Sequence, residues 1–198
     1  RSPLDEMLRH NREMKKVRSF IRKRVVKNEF EALYLKHFEA MYEKACAITA
    51  AMEQSGCMQI YEKNVAENRM MHGDYNYHNL IMLRDDIAVT DFEHMHTDIQ
   101  IKDFCYFLRK AMEKNQWKQK TGQKILEAYE EVRPLSEREK EFAALSLAYP
   151  GKFKKIAGSY YRSNKAHLSE KNVEKLQICI RQTEEKYEFL SRIFPLNL

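Results

Sequence analysis

Glycine and proline are scarce in this sequence, five and four among 198 residues. A chain with so few turn formers cannot reverse direction often. β-Sandwiches and barrels need a turn signal roughly every 8–12 residues, so they are excluded. Long helices are the remaining solution. The apolar spacing agrees. Phe30, Leu33, Tyr34, Phe38, Met41, Tyr42, Ala45, Ile48 and Met52 recur at intervals of three and four, which places them on one helical stripe. Ser2-Pro3 predicts an N-cap and first position for an earlier helix reaching about Val26. Gly56 predicts the end of the second helix. Residues 57–70 show no clear period.

The middle of the chain changes character. Leu80 to Leu83 is apolar, Arg84-Asp85-Asp86 is a turn signal, and Ile87 to Thr90 is β-branched and apolar. That pattern predicts a short hairpin. From about Asp98, taken as an N-cap, the helical period returns. One helix carries Ile101, Phe104, Cys105, Leu108 and Met112, and a second carries Ile125, Leu126, Tyr129 and Val132. Ser136 and Glu139 form a capping box that opens a third. Pro150-Gly151 separates a fourth, and a last helix runs from Ser169. The Met70-Met71 pair and Met82 are expected as core filler.

Charge and composition narrow the function. No run approaches the roughly 20 apolar residues of a membrane-spanning helix. The opening residues RSPLDEMLRH lack the apolar centre of a signal peptide, and the missing initiator Met suggests an excised fragment. The four cysteines lie far apart with no CxxC, which predicts reduced thiols. Net charge is +6, and residues 9–27 hold nine basic side chains against Glu13 alone. Such a helix is either a solvated face or a surface for an anionic partner. No nucleic-acid motif surrounds it.

The chemistry-bearing segment is His72-Gly73-Asp74-Tyr75-Asn76-Tyr77-His78-Asn79, followed by the hairpin and then Asp91-Phe92-Glu93. An Asp, an Asn five residues later and a second Asp beyond a hairpin are the parts that nucleotide-dependent phosphoryl transfer needs. One carboxylate accepts the acceptor hydroxyl, while an amide oxygen and a second carboxylate hold magnesium on the phosphates. The kinase catalytic loop has the same Asp-to-Asn spacing. A different reading of the neighbourhood is a first-row-metal hydrolase built on His72, Asp74, His78, Asp91, His94 and His96.

HGD-x4-N followed by DFE resembles the aminoglycoside phosphotransferase and choline kinase superfamily. Within it, RHNREMKKVRSFIRKRVVKNEFEALYLKHFEAMYEKA, HGDYNYHNLIM, DIQIKDFCYFLRKAMEKNQW, RPLSEREKEF and YPGKFKKIAGSYY resemble the CotS-type spore coat proteins of endospore-forming bacteria. The resemblance implies a mainly α fold, the C-terminal lobe of a protein-kinase-like structure with one catalytic-loop β-hairpin and no N-terminal nucleotide lobe. The expected organisation is one lobe over 1–198: two long helices in 1–56, the catalytic loop, hairpin and metal loop in 70–97, and a helical bundle in 98–194.

The same resemblance implies Asp74 as catalytic base and Asn79, Asp91 and Glu93 around the metal. It implies that His72 packs the loop and that Asp103 is buried and hydrogen-bonds the loop backbone. The implied cofactors are Mg2+ and ATP, bound only together with the missing lobe. The implied partners are other spore coat proteins and an unknown small-molecule phosphoryl acceptor, with no nucleic acid and no membrane span. The implied location is the spore coat after cytoplasmic synthesis. Nothing in the five glycines makes a phosphate-binding loop. The alternative to an enzyme is therefore a non-catalytic pseudokinase that serves as a structural coat component.

Overall fold

A computed structural model describes residues 1–162 and 170–194. Among the described residues, eight α-helices and four short strands follow in order: α1 (Pro3–Lys23), α2 (Glu29–Gln54), α3 (Cys57–Ala66), β1 (Met70–Met71), β2 (Leu80–Met82), β3 (Ile87–Val89), β4 (His96–Thr97), α4 (Ile101–Lys114), α5 (Gln119–Val132), α6 (Glu137–Ala148), α7 (Gly151–Arg162) and α8 (Glu170–Ile193). The mainly helical expectation holds. Ser169, expected to start the last helix, lies outside the described residues. The chain forms two compact units.

The first unit comprises Arg1–Gln54 with Ala148–Glu188. Ser2 caps α1 by accepting from the Asp5 N–H at 3.1 Å, with Pro3 at the first helical position. The stripe of α2 buries Phe30, Tyr34, Phe38, Met41, Ala45, Ile48 and Met52. Its rings stack on α7, with Phe30 4.1 Å from Tyr160 and Tyr34 4.7 Å from Phe153 between centroids. Asn28 and Glu31 form a reciprocal capping box, with N–H to side-chain oxygen distances of 2.9 and 3.1 Å. One polar network lies inside this core. Buried Asn11 donates to Thr49 Oγ1 at 3.0 Å and accepts from the Tyr149 hydroxyl at 2.6 Å. Every member has a partner, which is the condition for burying polar groups without penalty.

The second unit comprises Ser55–Leu147 and the end of α8 from Phe189. Phe189 is buried beside Trp117, with centroids 5.7 Å apart. A Cβ on Gly122 would overlap the Phe189 ring, so α5 requires its bare backbone there. Ser136 and Glu139 make the expected capping box at 3.0 and 3.3 Å. Among the described residues no disulfide joins the cysteines, and burial pushes the Cys105 thiol up to about 12.

Several local expectations change. α2 ends at Gln54, just before Gly56 as expected; Gly56, with an ordinary φ of −73°, also precedes α3, so residues 57–66 are helical where no period was legible. Asp98 does not cap α4, because Gln100 occupies that position. Asp98 is instead buried, accepting from its neighbour Ile99 N–H at 2.7 Å and from Lys102 Nζ at 2.6 Å. The hairpin forms with Leu80 opposite Val89 and Met82 opposite Ile87. A second antiparallel pair also appears, β1 with β4, joining Met70 to Thr97 and Met71 to His96. Two-residue strands 26 positions apart carry no sequence period, so only the fold reveals them.

Candidate active site in the second unit

The catalytic-loop segment hangs from β1 and is fixed on three sides. Below it, the Asp103 carboxylate on α4 accepts the His72 N–H at 2.6 Å and the Gly73 N–H at 3.0 Å. A charged acceptor on two backbone donors is strong positioning. Asp103 plays the expected part, although it is half-buried, not fully buried. At its side, buried His72 receives the Asp74 N–H on Nδ1 at 3.2 Å. That leaves Nε2 to donate to the Thr90 carbonyl at 2.9 Å. The ring also sits 4.7 Å from Phe92 and 5.9 Å from Tyr75. His72 therefore ties the loop to the residue before Asp91.

The third side is a close backbone approach. Gly73 has φ +82°, and a Cβ there would overlap the His94 carbonyl oxygen and lie 3.0 Å from the His94 carbonyl carbon. Only glycine fits this point. The contact brings the HGD loop against the turn of residues 92–94.

Within this frame, Asp74 and Asn79 meet. Asn79 is buried, and its Nδ2 donates to the Asp74 carbonyl at 2.9 Å and to Asp74 Oδ2 at 3.1 Å. The amide nitrogen is thereby committed, and the amide oxygen is the atom left for a cation. Asp91 lies one residue beyond the hairpin's last rung, because the Thr90 N–H donates to the Asn79 carbonyl at 3.0 Å. Its backbone is left-handed, φ 65° and ψ 64°, a conformation that few residues but Asp, Asn and Gly adopt readily. Strain of this kind collects at functional sites. Asp91 and Glu93 are both exposed. The donor set of one amide oxygen and oxyanions suits a hard cation such as magnesium.

His78, His94 and His96 are exposed. Among the described residues, no three His, Cys, Asp or Glu side chains are grouped to hold one metal ion. The hydrolase reading thus finds no formed ligand set.

Two participants were missed in the sequence. Asn76 is buried; its Nδ2 donates to the Asp74 carbonyl at 2.9 Å and its Oδ1 accepts the His78 N–H at 3.0 Å. Tyr106 stands three residues after Asp103 on α4, so both face the loop from one helix side. Partial burial acts to raise the Asp74 pKa, but hydrogen bonds from Tyr106, Asn79 and Asn76 and the charge of His94 outweigh it. The carboxyl is held below its ordinary value. Burial and the bond to Asp74 push the Tyr106 phenol up. The only signal for Tyr106 was its spacing from Asp103. A depressed folded value means that the stability from Asp74 is present above the usual Asp range and is lost as pH falls through the folded value. Tyr106→Phe is expected to raise the Asp74 pKa toward the ordinary value, followed by carbon-13 carboxyl titration with Asp74→Asn to assign the resonance. An unmoved titration would remove Tyr106 from the site.

Residues 12–193 match the family model described as "Spore coat putative kinase YutH". The chain belongs to this family. As a member of the YutH spore coat kinase family, it is a kinase-like protein of the spore coat. It is 25% identical to spore coat protein S of Bacillus subtilis (strain 168) over 166 residues, 83% of this chain and 47% of that protein. Its fold matches the crystal structure of an aminoglycoside phosphotransferase from Alicyclobacillus acidocaldarius subsp. acidocaldarius DSM 446. The TM-score is 0.87 at 18% identity, covering 98% of this chain and 57% of that one. The chain thus spans about half the length of the proteins it matches. The CotS-type resemblance read from the sequence is borne out.

Proposed function

We propose that these 198 residues form the catalytic-loop lobe of a spore coat phosphotransferase that uses ATP and magnesium, and that the lobe covering the nucleotide comes from elsewhere in a longer polypeptide. The observation that carries this reading is the state of Asn79. Its amide nitrogen is bound to Asp74 and its oxygen remains, one hairpin rung from the left-handed Asp91. Asn79 and Asp91, with Glu93 nearby, would hold the cation. When bound, magnesium would neutralise charge on the transferred phosphoryl group.

Asp74 would receive the acceptor hydroxyl. Its lowered pKa keeps it ionised at neutral pH, so it orients the hydroxyl by hydrogen bonding more than it removes the proton early. Phosphoryl transfer through a loose transition state asks little more of a base. The hairpin offers further support. Ile81, Met82, Leu83 and Ile87 are exposed, Met82 at 74%, although Met82 was expected in the core. An apolar hairpin edge beside the site is the surface that a nucleotide-covering lobe would bury.

One observation favours a second reading. The loop is held by Asp103, His72 and Gly73 through protein contacts alone, so its shape does not require a metal. A pseudokinase used as a structural coat component could keep it. Calorimetry of magnesium-ATP on the longer polypeptide separates the two. Binding at roughly 1 μM to 1 mM that vanishes without magnesium is expected. Absence of binding would overturn the enzyme reading in favour of the pseudokinase.

A further inference from the structure

The turn joining α1 to α2 reads Arg22-Lys23-Arg24-Val25-Val26-Lys27, four cations and two valines without an acid. Val25 is 98% exposed and Val26 77%. Single exposed apolar side chains are ordinary. Two adjacent β-branched residues in water at the tip of a helical hairpin, with a basic residue on either side, form a pattern of their own.

Elsewhere on α1 three of the five cations are answered. Arg9 pairs with Glu13 at 3.3 Å and Arg18 with Glu39; within the turn itself Arg24 pairs with buried Glu31 at 3.1 Å, leaving Arg22, Lys23 and Lys27. Lys15 lies over the Tyr42 ring. Toward the tip this stops. Arg22, Lys23 and Lys27 are exposed and have no ion pair among the described residues. The ammonium of Lys27 donates to the Arg24 carbonyl at 2.9 Å. Exposed Glu29 is the acid closest in sequence beyond the tip. The α1 face behind adds exposed Arg12 and Lys16.

We infer that this tip docks on an anionic lipid bilayer, with Val25 and Val26 entering the headgroup region and Arg22, Lys23 and Lys27 meeting lipid phosphates. The combination selects the partner. A nucleic acid would use the cations but leave both valines in water, and the nearest exposed ring, Phe20, already packs edge-on against Tyr161 and is not an open stacking platform. An acidic protein would need an apolar pocket shaped to a protruding pair. A bilayer surface accepts an apolar tip of any outline and supplies the anions around it. No helix of the described residues is long and apolar enough to cross a membrane, so the contact is peripheral. One tip gives weak attachment, sensitive to salt.

The test is vesicle co-sedimentation of the full chain. Vesicles of equal parts phosphatidylglycerol and phosphatidylcholine are expected to bind it, and pure phosphatidylcholine vesicles are not. Arg22→Gln with Lys23→Gln is expected to weaken binding roughly 30-fold, given the usual worth of a cation near an anionic surface. Val25→Ser with Val26→Ser is expected to weaken it roughly tenfold. Both pairs are exposed, so unchanged thermal unfolding shows that the fold is intact. No sedimentation with the anionic vesicles would overturn the inference. So would a valine variant that binds like the parent, or tighter binding to duplex DNA or polyglutamate at the same salt.

Discussion

Asp91→Asn is expected to weaken magnesium-dependent nucleotide binding more than about 100-fold, whereas Asp74→Asn leaves that binding nearly unchanged. The magnitude follows from the metal. Even the outer partners of metal ligands are worth roughly 10–100-fold, and the substitution removes a direct negative ligand. Structure makes the variant clean. Asp91 is exposed and makes no side-chain hydrogen bond to the turn that it opens. Its left-handed φ of 65° is one that Asn tolerates. The fold should therefore survive, and only the charge is lost. Asp74 faces the acceptor hydroxyl in the proposed chemistry, so its loss is read in turnover, by roughly 10²–10⁴-fold. Calorimetry and single-turnover phosphoryl transfer, run together on the longer polypeptide, separate the two roles. Equal losses of binding in both variants would sink the assignment.

Gly73→Ala is expected to destabilise the protein by about 2–4 kcal/mol, from left-handed strain and from overpacking. The strain arises because φ at this position is +82°. The overpacking arises because the new Cβ meets the backbone of His94, with its carbonyl carbon at 3.0 Å. A side chain in that place could swing aside, but a carbonyl cannot move without pulling the 92–94 turn. The loop and the turn that carries Asp91 would separate, so nucleotide binding should fall with stability. For a chain of this size the melting temperature should drop by roughly 5–15 °C, measured by circular dichroism. A melting temperature equal to the parent's would mean that this contact holds nothing.

The helices with an apolar stripe or a cap signal were readable because each is a local object; α3 offered neither. The stripe from Phe30 to Met52, the Ser2-Pro3 start and the Ser136/Glu139 box depend on neighbours within about four positions. The hairpin was readable for the same reason, since its two strands flank one short turn. Asp98 misled because an acid before a helix is the usual cap, while the fold buried it against Lys102. Met82 misled because an apolar residue in a strand is usually core. Asn76 and Tyr106 carried no motif weight, yet they help hold the Asp74 carboxyl below its ordinary value.

The sequence by itself determined the helical class, most of the helices and the short hairpin, and its motifs carried the resemblance to the family. The elements rest on short-range periodicity and turn signals, and the family on motifs spread over most of the chain. Tertiary structure alone decided the β1–β4 pairing, which loop N–H groups Asp103 takes and at what distance, the closeness of Gly73 to His94, and the tip that leaves Val25 in water. His72 and Asp103 are 31 positions apart, and no local preference ties them. Their bond exists because packing α4 beneath the loop leaves two backbone N–H groups that must find an acceptor, and the carboxylate of Asp103 is the one the fold provides.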